Sequence, residues 1–184
     1  MTLQKNIKLD KVVMVPAGET VTITAEQACQ IAGTKTAVDL RNLFVVEEGG
    51  SLIIDGKVML FGRYNSGSIV LNHGSLELTG NAVVTGSKIT DDRANGTASS
   101  GLGVIDSRGE GAVFTLSGGK VTGNALHNNS VSYSGTVRAS NGARVKITGG
   151  EISDNSASAA AALNCSSEMC IRDRCSIKQR FCRR

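Results

Sequence analysis

What this chain has little of narrows it first. Of five cysteines only Cys29 precedes residue 165, so the bulk of the chain folds without disulfides. One proline in 184 residues and aromatics at 3%, with no Trp, exclude a collagen-like or proline-rich segment and a core built on large rings. No apolar run is long enough to cross a bilayer as a helix. A secretory leader is missing too, because "VVMVPAG" after Lys5, Lys8 and Lys11 is too short for a signal-peptide core. Two readings follow: a cytoplasmic protein, or one whose own N-terminus lies upstream.

Charge of one sign is also lacking where it would matter. The whole chain holds 20 basic and 16 acidic residues, a net charge of +4. Six of the basic ones (Arg172, Arg174, Lys178, Arg180, Arg183, Arg184) and two of the acidic ones (Glu168, Asp173) lie after Cys165, which leaves 14 of each before it. The body is neutral, so it has no basic footprint for phosphate, and nucleic acid is not an expected partner.

What is present is glycine, 22 residues of it, in a Val/Ile/Leu/Thr background whose apolar residues come in short bursts bounded by Gly, Ser and Asn. That is the pattern of many short strands joined by tight turns. Four segments superimpose: "GGSLIIDGKVMLFG" from Gly49, "HGSLELTGNAVVTG" from His73, "GAVFTLSGGKVTGN" from Gly111 and "GARVKITGGEISDN" from Gly142. In each, two apolar residues flank one other residue (Leu52/Ile54, Leu76/Leu78, Phe114/Leu116, Val145/Ile147), followed by Gly56, Gly80, Gly118 or Gly149. Another apolar residue comes three or four positions on, at Leu60, Val84, Val121 and Ile152. A further burst precedes each unit ("LFVV", "SIVL", "LGVI", "GTVRA"), which implies three short strands per unit.

Period-two alternation puts Leu76 and Leu78 on one face and Glu77 on the other. Leu76, Leu78, Leu116 and Ile147 are expected to stack in one inward column, with glycines at Gly56, Gly80, Gly118 and Gly149 permitting the corners. Unit anchors are 24, 38 and 31 residues apart. A propeller needs near-constant blades. A parallel β-helix holds its strands fixed and varies its corner loops, as around "TDDRANGTASSG" and "ALHNNSVSYSG". The expected fold is therefore all-β, a right-handed single-stranded parallel β-helix of about five to six coils, truncated. Its divisions are an N-terminal coil and cap over 1–39, repeats over 40–157, and a non-native or disordered tail over 158–184. Within the cap, "AEQACQIAG" reads as a short helix or corner loop.

The stretches "LFVVEEGGSLIIDG", "VFTLSGGKVTGN" and "VKITGGEISDN" resemble right-handed parallel β-helix repeats of large bacterial surface proteins. The GG-x-(V/I)-x-x-N pattern of the last two is similar to repeats of polymorphic outer-membrane, autotransporter-passenger and adhesin-like proteins. It covers roughly residues 40 to 156, and the first two units lack the closing Asn. The resemblance implies a non-catalytic stalk, extracellular or at the cell surface, with host or extracellular glycan or protein as partner and no cofactor. The fold also hosts polysaccharide lyases and hydrolases, which stand as the alternative.

Candidate site residues are few. Asn124 and Asn155 close successive units and suit an Asn ladder inside a corner, or a sugar contact. Asp91, Asp92, Arg93 and Asp106 invite comparison with the paired carboxylates of glycoside hydrolysis. Pectin-degrading hydrolases carry Asn-Thr-Asp, Asp-Asp, Gly-His-Gly and Arg-x-Lys in that order. Here "HG" at His73 comes before "DD", no Asn-Thr-Asp occurs and "RVK" at Arg144 is an alternating strand, so a solvated loop is the plainer reading. His73 and His127 stand without metal-ligand spacing, so no metal is expected. Cys29 reads as a small buried apolar residue. Before residue 165, Tyr64, Tyr133 and Phe61 are the aromatics outside the strand pattern and the ones open to sugar stacking.

The end of the chain reads differently. Cys165, Cys170, Cys175 and Cys182 are separated by four, four and six residues with no His, a poor match to a zinc site. "EMCIRDR", Glu168 to Arg174, back-translates with allowed codons to a sequence that contains AGATGTGTATAAGAGACAG, which resembles a transposon mosaic end used in sequencing libraries. The repeat frame, the scarcity of cysteine and the charge balance all end near "ASAAAALN". Residues from about Cys165 are therefore given no part in function.

Overall fold

The computed structural model describes residues 1–34, 40–63, 67–90, 103–127, 135–157, 160–165, 169–171 and 176–177. Among them there is no helix, and strands recur in sets. The first set is β1 (Ile7–Leu9), β2 (Val13–Val15) and β3 (Thr20–Ile23), and the second β4 (Cys29–Gly33), β5 (Phe44–Val46) and β6 (Ser51–Ile54). The third is β7 (Val58–Phe61), β8 (Val70–Asn72) and β9 (Ser75–Leu78). The next two sets carry a fourth strand: β10 (Val83–Thr85), β11 (Lys88–Thr90), β12 (Gly103–Arg108) and β13 (Val113–Leu116), then β14 (Lys120–Thr122), β15 (Ala125–His127), β16 (Gly135–Ser140) and β17 (Arg144–Ile147). After them come β18 (Glu151–Ser153), β19 (Ser156–Ala157), β20 (Ala160–Cys165), β21 (Met169–Ile171) and β22 (Ser176–Ile177).

Each strand pairs in parallel with its counterparts in the sets before and after. The first sheet is β1-β4-β7-β10-β14-β18-β22, the second β2-β5-β8-β12-β16-β20, the third β3-β6-β9-β13-β17-β21, and a small fourth sheet is β11-β15-β19. Parallel strands cannot be joined by hairpins, so the chain visits the other sheets before it returns one strand further on. The result is all-β with parallel strands in stacked sheets, compatible with a β-helix-like solenoid.

Registers follow the sequence alignment. Leu52, Leu76, Phe114 and Val145 stand opposite one another, as do Ile54, Leu78, Leu116 and Ile147. All eight are buried, while Glu77 and Lys146 between them face out. The single column expected for Leu76, Leu78, Leu116 and Ile147 is thus two, because alternate residues of one strand occupy neighbouring columns of one face; Leu76 belongs with Phe114. One apolar cluster runs from Leu3 to Leu163 between the sheets.

"AEQACQIAG" holds no helix: its first four residues, 25–28, are the corner between β3 and β4. The second half of the stretch is β4, in which Cys29, Ile31 and Gly33 alternate inward and pair with β1 and β7. Cys29 is buried with its thiol 3.8 Å from the Leu3 carbonyl. At the other end the pairing continues past residue 157. Strand β20 pairs with β16 through a register shift between Gly135 and Val137, with Ala162 and Leu163 fully buried, and β21 and β22 pair with β17 and β18.

The corner glycines work in two ways. Gly56 and Gly80 have φ of 63° and 59°, a left-handed conformation that suits a residue without Cβ. At the aligned Gly118 and Gly149 the left-handed residue is the next one along, Gly119 at 71° and Gly150 at 78°. Gly118 and Gly149 are instead held by space: a Cβ at Gly118 would sit 2.8 Å from the Gly80 nitrogen, and one at Gly149 would strike the Ser117 carbonyl oxygen. Tight stacking of successive corners demands both.

Candidate functional site

Three polar features are built into this scaffold. The first is the corner after β10, β14 and β18. A left-handed residue there, Gly86, Gly123 or Asp154, is followed by Ser87, Asn124 or Asn155, and the chain turns into the fourth sheet. Asn124 Oδ1 accepts from the Ser87 backbone N–H at 3.1 Å, and Asn155 Oδ1 accepts from the Asn124 backbone N–H at 3.1 Å and from its Nδ2 at 2.9 Å. Asn124 Nδ2 also donates to the Val84 and Thr122 carbonyls, and Asn155 Nδ2 to the Val121 carbonyl at 2.8 Å. The structure brings Asn124 and Asn155 together in one buried stack, 2% and 4% exposed. Side chains engaged in this way have their polar atoms turned to the backbone, where no sugar reaches them. Ser87 ends the stack. Its hydroxyl is too short to reach the next tier and has no hydrogen-bond partner, and the Gly62 N–H there is bonded to the Thr85 carbonyl instead.

The second feature lies inside the second sheet. Buried Asn72 donates from Nδ2 to Ser107 Oγ at 3.1 Å and to the Val113 carbonyl at 3.0 Å, and its Oδ1 accepts from the Gly74 N–H. This pins the corner from β8 into β9 across two tiers, a structural task. His73 in the same corner is half-buried, with Nδ1 3.1 Å from the Arg108 carbonyl oxygen.

The third feature is charged and faces outward. Asp106 sits mid-strand on β12, opposite Leu71 on β8 and Arg138 on β16. Its carboxylate is fully buried. Oδ2 is 2.6 Å from Arg108 Nη2 and 3.0 Å from Arg108 Nε, while Oδ1 is 2.9 Å from Arg138 Nη1. The two arginine side chains keep 27% and 13% of their surface exposed. Asp106 is therefore no solvated loop residue. A carboxylate can be buried here because both oxygens are met by guanidinium groups, with two cationic partners offsetting the loss of water.

Asp91, Asp92, Arg93, Tyr64 and Tyr133 lie outside the described residues. Phe61 does not stand apart from the strands but ends β7, its ring lying over Gly86, where a Cβ would strike it. His127 ends β15 opposite Thr90. Among the described residues no three His, Cys, Asp or Glu side chains gather as a metal site would require. No described helix is long and apolar enough to cross a membrane. The Asp106 cluster was in principle legible, since aligning "LGVIDSR" with "GTVRAS" sets Asp106 against Arg138. The second partner, Arg108 two residues along the same outward face, is a same-strand contact that repeat alignment does not reveal.

Comparison of the chain with protein-family models, curated proteins and solved structures finds no match.

Proposed function

We propose that the chain is a stalk segment of a bacterial cell-surface or secreted adhesin-like protein: a right-handed parallel β-helix whose work is to extend and to present its outer faces, without catalysis. The observation that carries this reading is the constancy of register. The third sheet holds one strand-to-strand register from β3 to β17 and the second from β2 to β16, while the connections between the strands differ in length. A fold in which each tier touches only its neighbours grows by adding tiers, at about 4.8 Å each, so six stacked strands span roughly 25 Å. Right-handedness is supported by the strong general preference for right-handed connections between parallel strands of one sheet. The buried amides of Asn72, Asn124 and Asn155 are spent on bonds between successive tiers, which suits a structural element. The GG-x-(V/I)-x-x-N likeness to surface-protein repeats points the same way.

The alternative is a polysaccharide lyase or hydrolase of the same architecture. Incubation with polygalacturonate, with and without Ca²⁺, separates the two. The stalk reading expects no new unsaturated or reducing ends, and turnover that vanishes in Asp91→Ala or Asp92→Ala would refute it.

A further inference from the structure

The apolar core is least covered at its first tier. Strands β1, β2 and β3 each stand at the end of their sheet, with a neighbour on one side only. Seven apolar side chains pack on the core without being fully buried, and five of them, Ile7, Leu9, Val12, Val13 and Val21, belong to this tier. Ile31, Phe44 and Leu52, next in register to Ile7, Val13 and Val21, are buried. The three open edges are not alike. Native sheets blunt an open edge with charge or cover it with another segment. On β1 the residue whose backbone faces the open side is Lys8, which is exposed. Across the end of β3 lies the Met1–Leu3 segment: the Met1 amino group donates to the Thr22 carbonyl at 2.6 Å, and the Leu3 N–H to the Thr24 carbonyl at 2.8 Å. Strand β2 has neither device. Its Val13 N–H and Val15 carbonyl are bonded to the β5 side, so the N–H and C=O of Met14 between them point to the open side. No charged residue occurs from Val12 to Gly18, and Met14 is 49% exposed. Pro16, which has no N–H, ends any ladder there and leaves Met14 at its centre.

We infer that β2 is a self-association edge, on which the β2 of a second copy of this chain pairs antiparallel across a two-fold axis, first tier against first tier. In an antiparallel pair, opposite residues can exchange both backbone bonds, and a two-fold axis through β2 sets Met14 against its own copy, N–H to C=O in both directions. A second copy fits better than a lone peptide strand. It brings a tier of its own against Ile7, Leu9, Val13 and Val21, apolar side chains that one added strand on β2 would leave in water. The far end of the chain does not offer the same frame: β20 pairs through a register shift and β22 has two residues, so head-to-tail stacking lacks matching edges. Contact through one shared end closes at two copies, and growth into fibres is not expected.

The test is sedimentation equilibrium of the full chain over a wide concentration range, with a reductant present to keep its cysteines from cross-linking, together with hydrogen exchange read at the Met14 amide. A monomer–dimer equilibrium without larger species, and a Met14 N–H that becomes protected only where the dimer forms, support the inference. Met14→Pro removes a donor that faces away from β5, so the single chain should keep its circular dichroism while the dimer's Kd rises about tenfold or more. Met14→Lys sets like charges opposite each other across the axis and should weaken the dimer in the same sense, which gives the reading if Met14→Pro fails to fold. A monomer at every concentration, assembly beyond the dimer, a Met14 amide that exchanges freely in the dimer, or a dimer indifferent to both variants would overturn the inference.

Discussion

Replacing Asn124 with Ala removes a side chain that serves four partners at once. Oδ1 holds the Ser87 N–H, and Nδ2 is shared by the Val84 carbonyl, the Thr122 carbonyl and Asn155 Oδ1. The site is 2% exposed, so the groups left behind gain no bulk solvent. Orphaning the Ser87 donor costs about 1–3 kcal/mol by itself, and each acceptor that loses a partner adds a smaller amount. Asn155 Oδ1 keeps the Asn124 backbone N–H and limits the damage. The sum is about 3 kcal/mol, or roughly 6–12 °C in Tm for a chain of this size. The diagnostic partner is Asn124→Asp. An ionised Asp can still accept from Ser87 N–H, but it sets a buried charge against three oxygens. The folded state then favours the protonated form, and the folded pKa rises above the unfolded value of about 3.9. Stability relative to Asn124 should therefore be best preserved below about pH 4 and fall as pH rises through the folded pKa, by about 1.4 kcal/mol per unit until that pKa is passed. Urea denaturation between pH 3 and pH 7 measures this. A pH-independent difference, or an Asn124→Ala protein within 0.5 kcal/mol of the parent by the same assay, would refute the stacked-amide reasoning.

Other changes follow from the same contacts. Leu116→Asp places a charge in the column of Ile54, Leu78 and Ile147, and several kcal/mol of loss should unfold the chain by circular dichroism, whereas Glu77→Ala gives up only the bond from Ser117 Oγ and should cost about 1 kcal/mol or less. Ser87→Ala deletes a buried hydroxyl without a partner, so thermal melting should show it neutral or more stable by up to about 1 kcal/mol. Gly149→Ala drives a methyl into the Ser117 carbonyl and should lower Tm clearly, while Ala at Gly109, where a Cβ meets nothing within 4 Å, bears only the cost of its φ of 100°. A chain ending at Asn164 keeps the buried Ala162 and Leu163 but gives up the pairing of β21 on β17 and of β22 on β18; if the residues beyond are not native it should melt within a few degrees of the full chain, and a larger loss of Tm would count against that reading.

Periodicity made the three main ladders legible, because Leu52/Ile54 and its counterparts alternate strictly and the glycine after them marks each corner. Burial on one face is what writes that alternation into a sequence. The fourth sheet was not legible: β11, β15 and β19 run two or three residues, too short for a period to register. Their only trace is the Gly-Ser, Gly-Asn and Asp-Asn pairs at residues 86–87, 123–124 and 154–155, where a left-handed residue precedes a polar one. Strand β4 was hidden by Gln30, Ala32 and Gly33, residues with little strand preference that parallel neighbours on both sides override. The charged cluster was hidden for another reason. Asp106 and Arg138 lie 32 residues apart, and only the register of β12 on β16 makes them adjacent.

The parallel register at the third sheet is the claim on which the rest stands, and nuclear Overhauser contacts measured on the isotope-labelled protein test it directly. Leu116 on β13 should show backbone contacts in the parallel pattern to both Leu78 and Ile147, with Phe114 contacting Leu76 and Val145 in the same sense. Antiparallel contacts, or a register displaced by one residue that pairs Leu116 with Glu77 or Lys146, would contradict the account.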